Sequence, residues 1–213
     1  RADLLLGLNP ADEDGVRALL PEPNRLTPFP PFIDAQQYAR AAMDRIGHRS
    51  ELIARLGADP TEPLLLTVAM MRWGDKLASF RLLAQALVMS VDRPWRLLIC
   101  GDGPARMAVE AAFAPLLGRI VWLGALGGAE LPALYAAADL YVWPAVGEAW
   151  GMALLEAQAA GLPVVAGACT GVAAIVADER SGLLVPVGDA DAFAAAVCTL
   201  LGDADRRVCM GWA

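Results

Sequence analysis

The sequence predicts an α/β fold: a doubly wound sheet of six parallel strands, carried by residues 63–213. Three observations predict it. From Pro63 onward, apolar runs of strand length alternate with segments of helical spacing. The runs are apolar at successive positions, as strands covered by helices on both faces must be. The chain is also 57% hydrophobic and only 19% charged over 213 residues, enough to bury a core and too apolar for a disordered state.

The elements follow in order. Leu64 to Met70 is the first apolar run, and Lys76 to Ser90 follows with Leu77, Phe80, Leu83, Ala84 and Leu87 on one helical face. Arg96 to Cys100 is the second strand, closed by Gly101-Asp102-Gly103-Pro104 and followed by a helix to about Leu117. Arg119 to Leu123 and Leu140 to Trp143 are the third and fourth strands, with a helix over Glu130–Ala138 between them. A helix over Trp150–Ala160 stops at Gly161; Val164–Gly167 and Gly182–Val187 complete the sheet. Asp189 is placed to cap a final helix that runs to Leu201. No repeat is visible beyond this alternation.

The first sixty residues read differently. Asp3 to Leu8 suits a strand, Asp12 to Leu20 a helix, and Arg25 to Ile33 a proline-rich extended segment. These are too few to form a core alone, so residues 1–34 are expected to be the tail of a preceding domain. Residues 35–62 are expected to be a linker, with one charged helix over Gln36–Leu56. The start without Met suggests an excised piece.

Several function classes lose support. A net charge of −7 argues against binding nucleic acid or anionic lipid through bulk charge. Cys100, Cys169, Cys198 and Cys209 form no CxxC pair and read as buried thiols of a reducing compartment. With His48 alone, expected to be solvated, a histidine metal site or a Ser/His/Asp triad has little material. No signal peptide is visible. The longest uncharged stretch, Ala157 to Ala177, is broken by Gly161, Pro163, Gly167 and Gly171, so it reads as helix end, turn, strand and turn rather than a membrane span.

Ligands of such sheets bind beyond the carboxyl ends of the strands. Arg72 and Lys76 follow the first strand there, Leu126 follows the third, and Glu148 to Gly151 follow the fourth. From Leu140 to Ala177 the only charged residues are Glu148 and Glu156. Glu148 precedes a helix start, which the helix dipole alone would favour. Glu156 sits among apolar helical neighbours; it either faces the surface or needs hydrogen-bond partners, such as ligand hydroxyls. The amides of Gly151, Met152 and Ala153 open that helix and suit an anion, which Arg72 and Lys76 could neutralise. Together these describe a diphosphate pocket flanked by carboxylates for hydroxyl groups, a nucleotide-sugar site. Gly101-Asp102-Gly103-Pro104 is explained by a turn that opens a helix, and Trp122, Trp143 and Trp150 read as core.

The joint order of these pieces resembles a known family. Arg72…Lys76, Gly101-Asp102-Gly103-Pro104, Leu134-Tyr135-x3-Asp139, Glu148-x7-Glu156, Gly161-x-Pro163 and Gly182-Leu-Leu-Val185 are similar to the retaining glycosyltransferases of family 4, of the two-domain GT-B fold. The resemblance runs from Leu64 to about Met210. It implies a Rossmann-like C-terminal domain that binds a nucleotide-diphosphate sugar. Arg72 and Lys76 would hold the diphosphate, with Glu148 on the donor sugar. Gly151, Met152 and Ala153 would bind the distal phosphate, Glu156 the ribose, and backbone near Leu126 the base. It further implies no metal and no cofactor, a carbohydrate or lipid-linked acceptor, a missing N-terminal domain, and a cytoplasmic enzyme, peripheral to the membrane where its acceptor is. The isolated piece is expected to bind donor weakly and transfer nothing. The chain departs from the pattern at Leu77, Ala145 and Ala173-Ala174, where the family commonly has Gly, Ser and Pro-Glu, and its Arg-to-Lys spacing is one residue short. A GT-B epimerase and a non-catalytic domain are the alternatives.

Overall fold

The computed structural model describes residues 3–7 and 9–212, and it opens on a small β–α–β unit. Strand β1 (Leu5–Gly7) and strand β2 (Leu26–Pro28) pair in parallel, with Leu5 opposite Leu26, across helix α1 (Pro10–Leu19). The expected strand over residues 3–8 is thus shorter; its end at Leu8 lies outside the described residues, as do Arg1 and Ala2 at the head of the expected remnant. Only Leu26–Pro28 of the expected extended segment is strand, because Pro23 opens a 3-10 turn before it.

The single helix expected over Gln36–Leu56 is two helices, α2 (Gln36–Met43) and α3 (Arg45–Leu56). Asp44 breaks them apart with φ −110° and ψ 34°, outside helical geometry. The break lets α2 bury Tyr38 while α3 buries Leu52 and turns Arg45 and Arg49 toward Asp139.

The main sheet then forms from β3 (Leu64–Val68), α4 (Asp75–Val88), β4 (Arg96–Cys100), α5 (Arg106–Ala112), β5 (Ile120–Gly124) and α6 (Glu130–Ala137). It continues through β6 (Leu140–Trp143), α7 (Met152–Ala159), β7 (Val164–Gly167), α8 (Thr170–Ala173), β8 (Gly182–Val185), α9 (Ala190–Gly202) and α10 (Ala204–Gly211). All six strands are parallel, in the order β5-β4-β3-β6-β7-β8. Helices α4, α5 and α9 form one packed group, and α2, α3, α6 and α7 another. These are the two layers of a doubly wound sheet. Leu64, Leu65 and Leu66 of β3 are fully buried between them, each contributing about 1.5–3 kcal/mol by leaving water.

Several boundaries move. The first strand stops at Val68, two residues early, and the last at Val185, before Pro186. The helix expected to reach Leu117 ends at Ala112, because Pro115 imposes a 3-10 turn over Ala114–Leu116. Asp189 caps α9 as expected, accepting from the Ala192 amide at 2.8 Å. Two helices were not expected: α8, and α10, which Asp203 caps by accepting from the Arg206 amide at 2.8 Å. No described helix is long and apolar enough to cross a membrane. All four cysteines are free, but only Cys100 is fully buried and Cys209 is exposed, which corrects the reading of buried thiols throughout. His48 is half-buried rather than solvated.

Candidate functional site

The strand order reverses between β3 and β6. The chain leaves β3 toward β4 on one side, and β6 lies on the other. The loops that leave their carboxyl ends therefore part around a crevice, the usual place for a ligand in an open α/β sheet. One loop, residues 69–74, leads into α4 and carries Arg72; Lys76 is on the first turn of that helix. The other, residues 144–151, carries Glu148 and leads into α7.

The cation loop is braced from β4. The amide of Met71 donates to the Asp102 carbonyl at 2.9 Å, and the amide of Ala105 donates to the Met71 carbonyl at the same distance. Gly101 and Gly103 make this approach feasible. A Cβ on Gly101 would lie 2.0 Å from the Ala69 carbonyl oxygen, and one on Gly103 2.4 Å from that of Met71. The Gly-Asp-Gly-Pro turn thus does more than open a helix: it holds the loop that carries Arg72. The two site loops are also tied together. Buried Ser79 of α4 donates to the Asp75 carbonyl at 2.8 Å and accepts from the Val146 amide at 2.9 Å.

Glu148 is the hub. Its Oε2 accepts from Lys76 Nζ at 2.5 Å and from the Trp143 indole at 3.1 Å, and its Oε1 accepts from the Gly151 amide at 3.4 Å. Lys76 also lies 5.3 Å from the centre of the Trp143 ring. Burial pushes the Glu148 carboxyl up, but the Lys76 bond and charge, the indole and the Gly151 amide outweigh it and hold the group below the ordinary carboxylate range. The Cys169 thiol donates to the Glu148 carbonyl at 3.0 Å, fixing the backbone behind it.

Gly151 ends the loop at φ 65°, a left-handed conformation that glycine tolerates best. The amides of Leu154 and Leu155 turn back to its carbonyl. Met152 and Ala153 have no hydrogen-bond partner for their amides among the described residues, while that of Gly151 is taken by Glu148. Of the three amides expected to receive an anion, two are therefore open and one serves the carboxylate. Arg72 is exposed and forms no ion pair among the described residues.

Glu156 is half-buried, just over one turn along α7. It accepts from the Tyr135 hydroxyl at 2.8 Å. The Tyr38 hydroxyl faces the same carboxylate, and burial, then the charge and hydrogen bond of Glu156, push Tyr38 up to about 12. Glu156 also acts on the Cys100 thiol, which is pushed up mainly by burial, while a bond to the Leu126 backbone opposes the rise. Leu126 and Glu156 thus both act on Cys100, the last residue of β4.

Four residues of this neighbourhood carried no role in the sequence reading: Trp143, Ser79, Tyr135 and Tyr38. Trp143 is buried, as expected of core, but its indole N–H reaches a site carboxylate; its place at the last position of a strand was the available signal. Among the described residues no group of three His, Cys, Asp or Glu side chains is placed to hold a metal ion.

A family model described as glycosyl transferases group 1 matches residues 62–203. The chain belongs to the group 1 glycosyl transferases. Among similar curated proteins, the D-inositol 3-phosphate glycosyltransferase of Salinispora tropica is 34% identical over 199 residues, covering 87% of this chain and 41% of that protein. That of Corynebacterium urealyticum is 41% identical over 127 residues, covering 56% of this chain and 30% of that one. The chain thus spans less than half the length of these relatives. Among solved structures, sucrose-phosphate synthase from Thermosynechococcus elongatus superposes with a TM-score of 0.81 at 25% identity, covering 99% of this chain and 52% of that one. Anabaena HepE in complex with UDP and glucose superposes at 0.81 with 18% identity, covering 99% of this chain and 56% of that one. The fold is that of one part of a GT-B glycosyltransferase.

Proposed function

We propose that this chain is the donor-binding half of a retaining, metal-independent glycosyltransferase, taking a sugar from a nucleotide-diphosphate donor. One observation carries the reading. Lys76, Glu148 and the start of α7 form a single hydrogen-bonded cluster at the crevice where the strand order reverses. Beside it stand Arg72, in no ion pair among the described residues, and the amides of Met152 and Ala153, without partners among those residues.

The chemistry follows from charge. As the bond between the anomeric carbon and the diphosphate oxygen breaks, the electron pair moves onto the diphosphate. Arg72, Lys76 and the open amides of α7 stabilise that charge as it develops, in the position a metal ion would otherwise take. Glu148, anchored by Trp143 and Gly151, turns an acceptor oxygen toward the sugar hydroxyls; its bond to Lys76 is shared with, or yielded to, the incoming phosphate. Glu156 accepts from the ribose, and the Leu126 backbone meets the base. The acceptor hydroxyl then attacks on the face that the diphosphate vacates and gives its proton to the departing diphosphate oxygen, which retains the anomeric configuration. The acceptor, a carbohydrate or a lipid-linked one, is held outside this donor-binding unit, so the unit alone binds donor and does not turn over.

Calorimetry with UDP, GDP and ADP tests the reading. At least one should bind, and Lys76→Ala should weaken it by about tenfold or more, the value of a charge-assisted hydrogen bond. Absence of binding to all three, or an unchanged affinity in Lys76→Ala, overturns it. Sugar transfer by the chain alone would overturn the division of labour.

A further inference from the structure

The geometry points to Tyr38 as a positioning residue that, together with Tyr135, holds the Glu156 carboxylate ready for ribose hydroxyls. The helix between the small β–α–β unit and the sheet is thereby built into the donor site. The inference rests on the reading of Glu156 as the ribose contact.

Tyr135 is fully buried and Tyr38 nearly so, and their rings meet edge to face at 5.8 Å. Helix α2 reaches Glu156 because it packs across both α6 and α7. Glu156 is a flexible side chain on a half-exposed helix position. Left alone it would sample several rotamers and lose that freedom on binding. One phenol donates to it at 2.8 Å and the second faces it from the linker side. Burial pushes both phenols well above their ordinary value, so each stays protonated and can only donate to the carboxylate. An ionised carboxylate offers about four acceptor positions. The tyrosines account for two of them. Two remain, and the charge of Glu156 is felt at Cys100, the last residue of β4. A group held in that state calls for donors, and a vicinal diol supplies two.

The test compares each of UDP, GDP and ADP with its 2′,3′-dideoxy counterpart, using ligand-observed NMR titration on this chain and on Tyr38→Phe, Tyr135→Phe and Glu156→Ala. The unaltered chain should prefer the ribose form by about tenfold or more. Tyr38→Phe removes one oxygen and keeps the ring, and it should cut that preference by about threefold or more while leaving dideoxynucleotide affinity unchanged. Tyr135→Phe should do the same. A merely structural role would weaken both ligands alike and leave the ratio intact, which overturns the inference. A preference lost in Glu156→Ala but kept in Tyr38→Phe overturns it too, while the ribose assignment stands. A preference that survives Glu156→Ala, or no binding of any nucleotide, overturns the ribose assignment itself and the inference with it.

Discussion

Two carboxylates stand at opposite ends of the central strands, Asp139 paired with two cations and Glu148 with one. At the amino end, Asp139 accepts from Arg45 at 3.0 Å, from Arg49 at 2.6 Å and from the Leu64 amide at 2.8 Å. The two arginines spend their other N–H groups on the carbonyls of Ala136, Ala137, Pro60 and Glu62. Asp139 and its two arginines are thus matched among the described residues. At the carboxyl end, Glu148 is matched as well, yet its surroundings are not: Arg72 has no acidic partner among the described residues, and two amides of α7 stay open. The same ion-pair chemistry closes the Asp139 cluster and, on the reading proposed above, leaves the Glu148 cluster open to an anion. What separates a structural ion pair from a binding one here is the unmatched charge beside it.

The largest expected effect breaks the closed end. Asp139→Ala strands two half-buried guanidinium groups and the amide of Leu64. The loss should be about 2–4 kcal/mol, discounted for the exposure of Arg45. For a chain of this size that lowers the melting midpoint by roughly 5–15 °C. Thermal unfolding measures it. The ratio of affinities among UDP, GDP and ADP should not change. A shift in that ratio, or a melting point that holds, would blur the contrast between the two ends.

The same contrast explains what the sequence made legible. Strands buried on both faces read directly as apolar runs, so β3, β4, β6 and β7 stood out wherever Leu, Val and Ile cluster. Glu148 and Glu156 stood out because charge is scarce between Leu140 and Ala177. Polar groups that close on the chain itself were far harder to see. The tyrosines that meet Glu156 are far from it in sequence, one of them in a helix read only as charged linker. Trp143 has the composition of core and the chemistry of a site, and an apolar run reveals only the first. Helix ends failed where one residue overrides the periodic pattern, as Asp44 and Pro115 do. The turn of Gly101 and Gly103 looked local because the backbone it accommodates belongs to a different loop.

A smaller effect sharpens the description of the open end through pH. The folded-state value of Glu148 is depressed below the ordinary 4.5, so its ionised form stabilises the native state above that value. This contribution is lost as pH falls through the depressed value. In Lys76→Met the chief downward influence is gone while burial, which pushes the group up, is kept. The stability gap between the two proteins should therefore be widest near neutrality and narrow as pH drops from about 5 toward 3. Urea midpoints across that range provide the measurement. A gap of constant width would mean that Lys76 does not hold the carboxylate ionised.

The smallest effect concerns the tie between the two site loops. Ser79 lies on α4, one turn beyond Lys76, and its hydroxyl holds the Val146 amide two residues before Glu148. Removing the hydroxyl in Ser79→Ala leaves that buried N–H without its acceptor, at a cost of about 1–2 kcal/mol, or roughly 2–8 °C in melting midpoint. Neither Lys76 nor Glu148 is altered, and their ion pair can persist. Their loops, however, lose a second tether, next to Ala145 at φ 56°, a strained value for alanine that the surrounding structure must enforce. Nucleotide affinity should therefore fall as well, by a smaller factor than in Lys76→Ala, and titration of the two variants side by side decides it. An affinity equal to that of the unaltered chain, with stability reduced, would assign Ser79 to the closed, structural kind of contact and move the boundary between the two kinds inward to Glu148 itself.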